Sequence, residues 1–124
     1  MQTAQIVVLV VEDEILIRMD VVDQLGALGY SLIEASSGRE ALQALASTGP
    51  VHILLTDVDM PGDPNGLMLA REVSETRPEI GIIVTSGKTS LRQDLLPQGS
   101  RFYPKPYMPA AFHLAIQELL ALSD

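Results

Sequence analysis

The chain has 124 residues, a formal net charge of −8 from 16 acidic and 8 basic residues, 47% hydrophobic content and no cysteine. This length suits one domain with its own core, and the composition excludes a disordered chain, disulfides and sulfur-ligated zinc. The negative charge disfavours binding to nucleic acid or to an anionic membrane. Without a long apolar run or a basic secretory signal, a soluble, cytoplasmic protein is expected.

Short apolar runs closed by polar or turn-forming residues predict five buried strands. They cover residues 6–11, 32–35, 53–56, 80–86 and 101–104. The first run leads directly into Glu12 and Asp13, and the third leads into Asp57, after which Pro61 stops any regular continuation. Pro104 suits a strand at the edge of a sheet, because proline cannot donate a ladder hydrogen bond. Continuous apolar runs are typical of parallel strands buried on both faces.

Helical periodicity fills the segments between these strands. The predicted helices cover, approximately, residues 14–28, 36–48, 67–76, 88–98 and 109–122. The first has an apolar stripe made of Ile15, Met19, Val22, Leu25 and Leu28. The fourth is weakly patterned, with Pro97 near its end, so a short or irregular helix is expected there. The alternation predicts an α/β fold with a doubly wound parallel sheet, in one domain over residues 1–124 without an output domain.

Polar side chains stand at the carboxyl ends of four of the predicted strands. They are Glu12, Asp13, Asp57, Ser86 and Lys105. The carboxyl ends of parallel strands share one edge of the sheet, where ligands bind. Three carboxylates meeting there repel by roughly 4 kcal/mol per pair at intermediate dielectric, so protons or cations must compensate. Carboxylate ligands favour a hard divalent ion, Mg2+ (or Mn2+), and with Lys105 the cluster balances three negative charges against three positive ones.

Such a site suits phosphoryl transfer. A carboxylate can attack phosphorus and form an aspartyl phosphate, and Asp57, at the tip of the third strand, is the natural nucleophile. Ser86 can then donate a hydrogen bond to a phosphoryl oxygen, and Lys105 can pair with another.

With these residues in order, the whole chain resembles the response-regulator receiver domain (CheY-like), the phosphoacceptor module of two-component signalling. The motifs that carry the resemblance are Glu12-Asp13, Asp57 with Met60-Pro61 and Gly66, the hydroxyl after the fourth strand, and Lys105-Pro106. The resemblance implies a flavodoxin-like sheet of order 2-1-3-4-5 with five helices. It also implies Mg2+ held by Glu12, Asp13, Asp57 and the backbone carbonyl of Asp59.

The resemblance further implies a phosphorelay protein. A histidine kinase or histidine phosphotransfer protein donates the phosphoryl group, and an unknown downstream protein receives the signal. Self-phosphorylation occurs once per chain and self-dephosphorylation is slow, so the protein is not expected to be a turnover enzyme. Family spacing selects Ser86 as the switch hydroxyl, with Thr85 as the alternative, and it places Phe102 at the aromatic switch position.

Asp59 and Lys88 stand where the family modulates loss of the phosphoryl group, and a pairing of the two is a hypothesis. The simpler interpretation makes Asp59 a solvated loop acid. His52 is expected to cap a strand and His113 to lie on the polar side of the last helix, neither with a catalytic role.

Two other functions remain open. A magnesium-dependent phosphatase of the haloacid-dehalogenase type would use Asp57-Val58-Asp59 as its acid pair, although Met60 departs from that pattern and no cap is present. The second alternative function is that of a receiver-like fold that binds partners without phosphorylation.

Overall fold

The computed structural model describes residues 6–87 and 93–122 and contains a five-stranded parallel sheet. Its strands are β1 (Val7–Val11), β2 (Ser31–Ala35), β3 (Ile53–Asp57), β4 (Gly81–Ser86) and β5 (Arg101–Pro104). The strand order is β2-β1-β3-β4-β5, which confirms the predicted doubly wound fold. β5 is an edge strand, as Pro104 indicated.

The described residues form four α-helices, one fewer than expected. They are α1 (Ile15–Ala27), α2 (Gly38–Ser47), α3 (Gly66–Thr76) and α4 (Ala111–Leu122). Between β4 and β5 the described part contains only a 3-10 helix, Gln93–Leu95, while residues 88–92 lie outside the description. The weak apolar pattern and Pro97 explain why no regular helix covers residues 93–98.

Each face of the sheet has its own hydrophobic core. Leu9 and Val11 of β1 belong to the cluster that includes buried residues of α2 and α3. Val8 and Val10, which alternate with them, belong to the cluster that includes buried residues of α1 and α4. Because adjacent strand residues point to opposite faces, the continuous apolar run of β1 is what two covered faces require.

The apolar stripe predicted for α1 is wrong in part. Ile15, Met19 and Leu28 are 58%, 48% and 42% exposed, whereas Val21 and Leu25 are fully buried. Two neighbouring faces of α1 both carry apolar residues, and the sheet covers only the one that includes Val21 and Leu25. Periodicity cannot choose between two such faces, because the choice depends on the packing partner.

Side-chain caps fix the starts of α2 and α3. The Ser37 hydroxyl accepts a hydrogen bond from the backbone N–H of Glu40, and the Asn65 side chain accepts one from that of Met68. Side-chain oxygens at these positions satisfy N–H groups that have no partner within the helix. The cap at Asn65 sets where α3 begins, directly after the loop that follows Asp57.

Among the helices in the described ranges, none combines the length and the apolar character that crossing a bilayer requires.

Candidate functional site

The register of the sheet brings its strand exits to one edge. Asp57, the last residue of β3, pairs with Thr85 of β4, and Ser86 pairs with Pro104 at the end of β5. All pairs are parallel, so the residues that follow each strand emerge on the same side. The cluster predicted from the sequence therefore assembles around Asp57.

Gly66 lets α3 begin against the end of β3. A Cβ atom on Gly66 would lie 1.9 Å from the backbone oxygen of Asp57 and 2.5 Å from the Cα of Val58. Both contacts are far inside van der Waals distance, so no larger residue fits without a backbone shift. The glycine in the motif that follows Asp57 is thus explained by the close approach of two backbone segments.

Lys105 joins two acids that are distant in the chain. Its Nζ donates hydrogen bonds to Glu12 Oε1 at 3.1 Å and to Asp57 Oδ2 at 2.9 Å. Both acidic residues are buried, at 3% and 5% exposure. Charge-assisted bonds of this length are strong in a site shielded from water, and they compensate part of the cost of burying two acids.

The surroundings shift the pKa of both Glu12 and Lys105. The pKa of Glu12 is raised from 4.5 to about 7, chiefly by burial and also by the charge of Asp57, although the hydrogen bonds from the Glu14 N–H and from Lys105 act in the opposite direction. Burial alone would lower the pKa of Lys105, but its hydrogen bonds to Asp57 and Glu12 outweigh burial and raise it. The ammonium group therefore stays charged, while Glu12 is easily protonated when no other cation is near.

Three carboxylates lie close enough to hold one metal ion. Oxygen atoms of Glu12, Asp13 and Asp57 all lie within 4.8 Å of one another, and Asp13 is exposed to solvent. An all-oxygen donor set with one side open to water fits Mg2+, which retains water ligands when it binds to proteins. The residues present thus fit the ion that the sequence indicated.

Asp59 is more than a solvated loop acid. It is half-buried, and its Oδ2 accepts hydrogen bonds from Ser86 Oγ at 2.8 Å and from the Gly87 backbone N–H at 2.9 Å. Its own N–H donates to Asp57 Oδ1 at 2.9 Å. The interpretation of Asp59 as a solvated loop acid is therefore wrong. Its partners Ser86 and Gly87 lie 27 and 28 residues further along the chain, so no local pattern pointed to them. The hypothetical partner Lys88 lies outside the described residues.

The two candidate hydroxyls differ in their surroundings. Both residues are buried, and the Ser86 hydroxyl donates a hydrogen bond to Asp59 Oδ2 at 2.8 Å, whereas Thr85 contacts the loop after β3 through its backbone carbonyl, which accepts the Val58 N–H at 3.0 Å. Phe102 is half-buried and packs against the core on the α2 and α3 side of the sheet.

Arg18 supports the acid pair, a contact that the sequence reasoning missed. Its Nη1 donates to the backbone oxygen of Glu12 at 2.7 Å, and its Nε pairs with Glu34 Oε1 at 3.1 Å. Arg18 precedes the buried Val21 and Leu25 by three and seven residues. The sequence signal for this contact was the position of Arg18 on the same helical face as buried residues, because a charged side chain on such a face needs a polar partner.

The two histidines are used structurally. His52 Nδ1 accepts a hydrogen bond from the Val7 N–H at 3.0 Å, at the start of β1. His113 is half-buried, with its Nδ1 at 2.5 Å from the Tyr30 hydroxyl. His113 was expected on the polar side of α4, and its contact with Tyr30 instead joins α4 to the start of β2.

The chain belongs to the response regulator receiver domain family, whose model matches residues 8–117. The chemotaxis protein CheY1 of Helicobacter pylori is 31% identical over 122 residues, covering 94% of this chain and 98% of that protein. The sensor kinase CckA of Brucella abortus is 37% identical over 122 residues, covering 94% of this chain.

Solved structures agree with this membership. A response regulator receiver protein from Sinorhizobium medicae has a TM-score of 0.87 and 26% identity, covering 96% of this chain and 97% of that chain. The response regulator protein TrrA of Thermotoga maritima, solved in complex with Mg2+-BeF, has a TM-score of 0.82 and 28% identity, covering 94% of this chain and 100% of that chain.

Several curated relatives are much longer than this chain. It spans 13% of the length of CckA and 50% of that of the aerobic respiration control protein ArcA of Escherichia coli, with 31% identity to ArcA over 124 residues.

Proposed function

We propose that Asp57 accepts a phosphoryl group from a histidine kinase or a histidine phosphotransfer protein. The observation that carries the proposal is the environment of Asp57. It is a buried carboxylate held between the Lys105 ammonium group and the Asp59 N–H, with Glu12 and Asp13 beside it. A buried carboxylate with fixed orientation and nearby positive charge is suited to attack phosphorus.

The transfer exchanges one bond for another. An oxygen of Asp57 attacks the phosphorus, the phosphorus–nitrogen bond of the donor phosphohistidine breaks, and the imidazole nitrogen retains the electron pair and takes up a proton. The product is an acyl phosphate on Asp57. Lys105 stabilises negative charge on a phosphoryl oxygen, and Ser86 donates a hydrogen bond to another.

Glu12, Asp13 and Asp57 would hold Mg2+ (or Mn2+), with the backbone carbonyl of Asp59 as a further ligand. When bound, the ion would neutralise negative charge on the oxygens of the phosphoryl group that is transferred. Support comes from the carboxylate cluster itself and from TrrA, which was solved with Mg2+-BeF.

The donor would dock on the exposed apolar side of α1. Ile15, Leu16 and Met19 are 58%, 78% and 48% exposed at the end of α1 that adjoins the site. Of these three residues, Leu16 also lines a groove of about 540 Å³ that includes Lys105 and Tyr107. A donor must bring its phosphohistidine to Asp57, so its surface would cover this rim. Similarity to a sensor kinase, CckA, is compatible with this role.

The proposed switch follows from the new charge. A phosphoryl group on Asp57 would draw Ser86 toward it, and Phe102 on the neighbouring strand would repack. This amounts to a population shift driven by phosphoryl contacts, which a downstream protein then reads.

The test is a mass measurement. The protein is incubated with acetyl phosphate and Mg2+, quenched, and its intact mass is recorded. One phosphoryl group per chain is expected in the wild type and none in Asp57→Asn. Asp63→Asn, which changes an exposed acid of the following loop, is the matched control and should keep the mass gain.

The same experiment separates the other functions. Continuous hydrolysis of phosphate monoesters, without a stoichiometric mass gain, would indicate a phosphatase. An unchanged mass under all conditions would indicate a binding module that works without phosphorylation.

A further inference from the structure

Two hydrogen-bond donors at the end of β4 converge on one oxygen atom. Ser86 Oγ lies 2.8 Å and the Gly87 N–H nitrogen 2.9 Å from Asp59 Oδ2. The Asp59 backbone N–H in turn contacts Asp57 Oδ1 at 2.9 Å. The side chain of Asp59 therefore connects the end of β4 to the loop that begins at Asp57.

These contacts compete with phosphoryl binding. A hydroxyl has one proton, so Ser86 cannot donate to Asp59 and to a phosphoryl oxygen at the same time. The Gly87 N–H is likewise occupied. Hydrogen bonds to a half-buried carboxylate are strong, and the negative charge of Asp59 also opposes an incoming phosphoryl anion.

We propose that the Asp59 side chain is an internal competitor for the phosphoryl group. It holds Ser86 and Gly87 in the unphosphorylated protein and must release Ser86 before that hydroxyl can donate to a phosphoryl group on Asp57. This inference rests on the proposed function and adds a regulatory contact to it. Asp59 acts as a positioning residue, since it works through Ser86 and Gly87.

The experiment compares Asp59→Ala and Asp59→Asn with the wild type. Affinity for beryllofluoride in the presence of Mg2+, as a phosphoryl analogue, is measured by titration. Asp59→Ala should bind the analogue roughly tenfold more tightly, which corresponds to about 1.4 kcal/mol. Asp59→Asn keeps an acceptor oxygen without the charge, so its affinity should lie between those of the wild type and Asp59→Ala.

A second measurement needs neither metal nor analogue. Hydrogen exchange of the Gly87 amide is followed in the unphosphorylated protein. Exchange should be faster in Asp59→Ala, because the amide loses its acceptor. Asp63→Ala removes an exposed acid and is the matched control for the change in net charge.

Three results would overturn the inference. Equal affinities of wild type and Asp59→Ala would exclude competition. Equal affinities of Asp59→Asn and Asp59→Ala would assign the effect to charge alone, and unchanged Gly87 exchange would exclude the contact. If no variant binds the analogue and the wild type gains no mass, the proposed function itself fails.

Discussion

Glu12 is a buried acid that is easily protonated when no cation other than Lys105 is near it. Its pKa is raised from 4.5 to about 7, chiefly by burial. Between these values the native protein keeps a proton that the unfolded chain has released. The free energy of unfolding therefore falls as the pH rises through this window.

Glu12→Gln should remove this dependence, because glutamine does not titrate. Without divalent metal, the variant should gain on the order of 2 kcal/mol of stability relative to the wild type between pH 5 and pH 8. Urea unfolding at both pH values measures this. The same difference in stability at pH 5 and pH 8 would contradict the assignment to Glu12.

Gly66 is required by its surroundings. Gly66→Ala would place a methyl group 1.9 Å from the Asp57 oxygen, so α3 must shift. We expect a loss of about 1–3 kcal/mol or more in the free energy of unfolding, measured with urea. Gly49→Ala is the control, because a Cβ there meets nothing within 4 Å. Equal stability of both variants would show that the loop adapts without cost.

At the level of elements, α1 has two apolar faces with different surroundings. One is buried against the sheet, and the other, with Leu16 at 78% exposure, faces outward beside the site. Arg18, also on α1, connects this helix to the acid pair, because its side chain donates a hydrogen bond to the backbone oxygen of Glu12.

Leu16→Ala should slow phosphoryl transfer from a donor protein without affecting acetyl phosphate. Truncating one interface residue typically costs about 1 kcal/mol or more when it lies at the centre of the contact, which is roughly a fivefold loss in rate. Single-turnover kinetics with each donor give the comparison. Equal slowing with both donors would mean that Leu16 acts on the site and not on docking.

Phe112 anchors α4 to the sheet and to the loop after Lys105. It is fully buried, with its ring centroid 5.2 Å from that of Tyr103 and 4.9 Å from that of Tyr107. Phe112→Ala should lower the free energy of unfolding by about 3–5 kcal/mol. Leu114→Ala on the same helix, at 61% exposure, should change it by less than about 0.5 kcal/mol. Thermal or urea unfolding distinguishes them, and a similar loss in both variants would contradict the anchoring role of Phe112.

At the level of the whole molecule, the proposed Mg2+ site at the acidic cluster would link metal binding to stability. A ligand that binds only the folded protein stabilises it by about 2.7 kcal/mol at a hundredfold excess over its Kd. Mg2+ should therefore raise the Tm of the wild type, and Asp13→Asn should lose most of this increase. Asp23→Asn, which changes an exposed acid of α1, is the control and should retain it. A similar rise in all three would point to a different binding site.

Much of the architecture followed from local patterns. The apolar runs ending at Glu12 and Asp57 predicted buried parallel strands, and parallel strands must deliver their exits to one edge. The caps of α2 and α3 are local in the same sense, because a cap needs only a side chain and the next few N–H groups.

The amino-acid sequence by itself determined the strands and the polar residues at their ends, Lys105 among them, since each depends on residue type and order. The tertiary structure alone decided which face of α1 is buried and that Asp59 meets Ser86 and Gly87. Periodicity and composition describe neighbours along the chain. Packing selects which residues far apart in the chain become partners. Whether two of them form a hydrogen bond depends on differences of a few tenths of an ångström in their separation, and no local pattern contains that information.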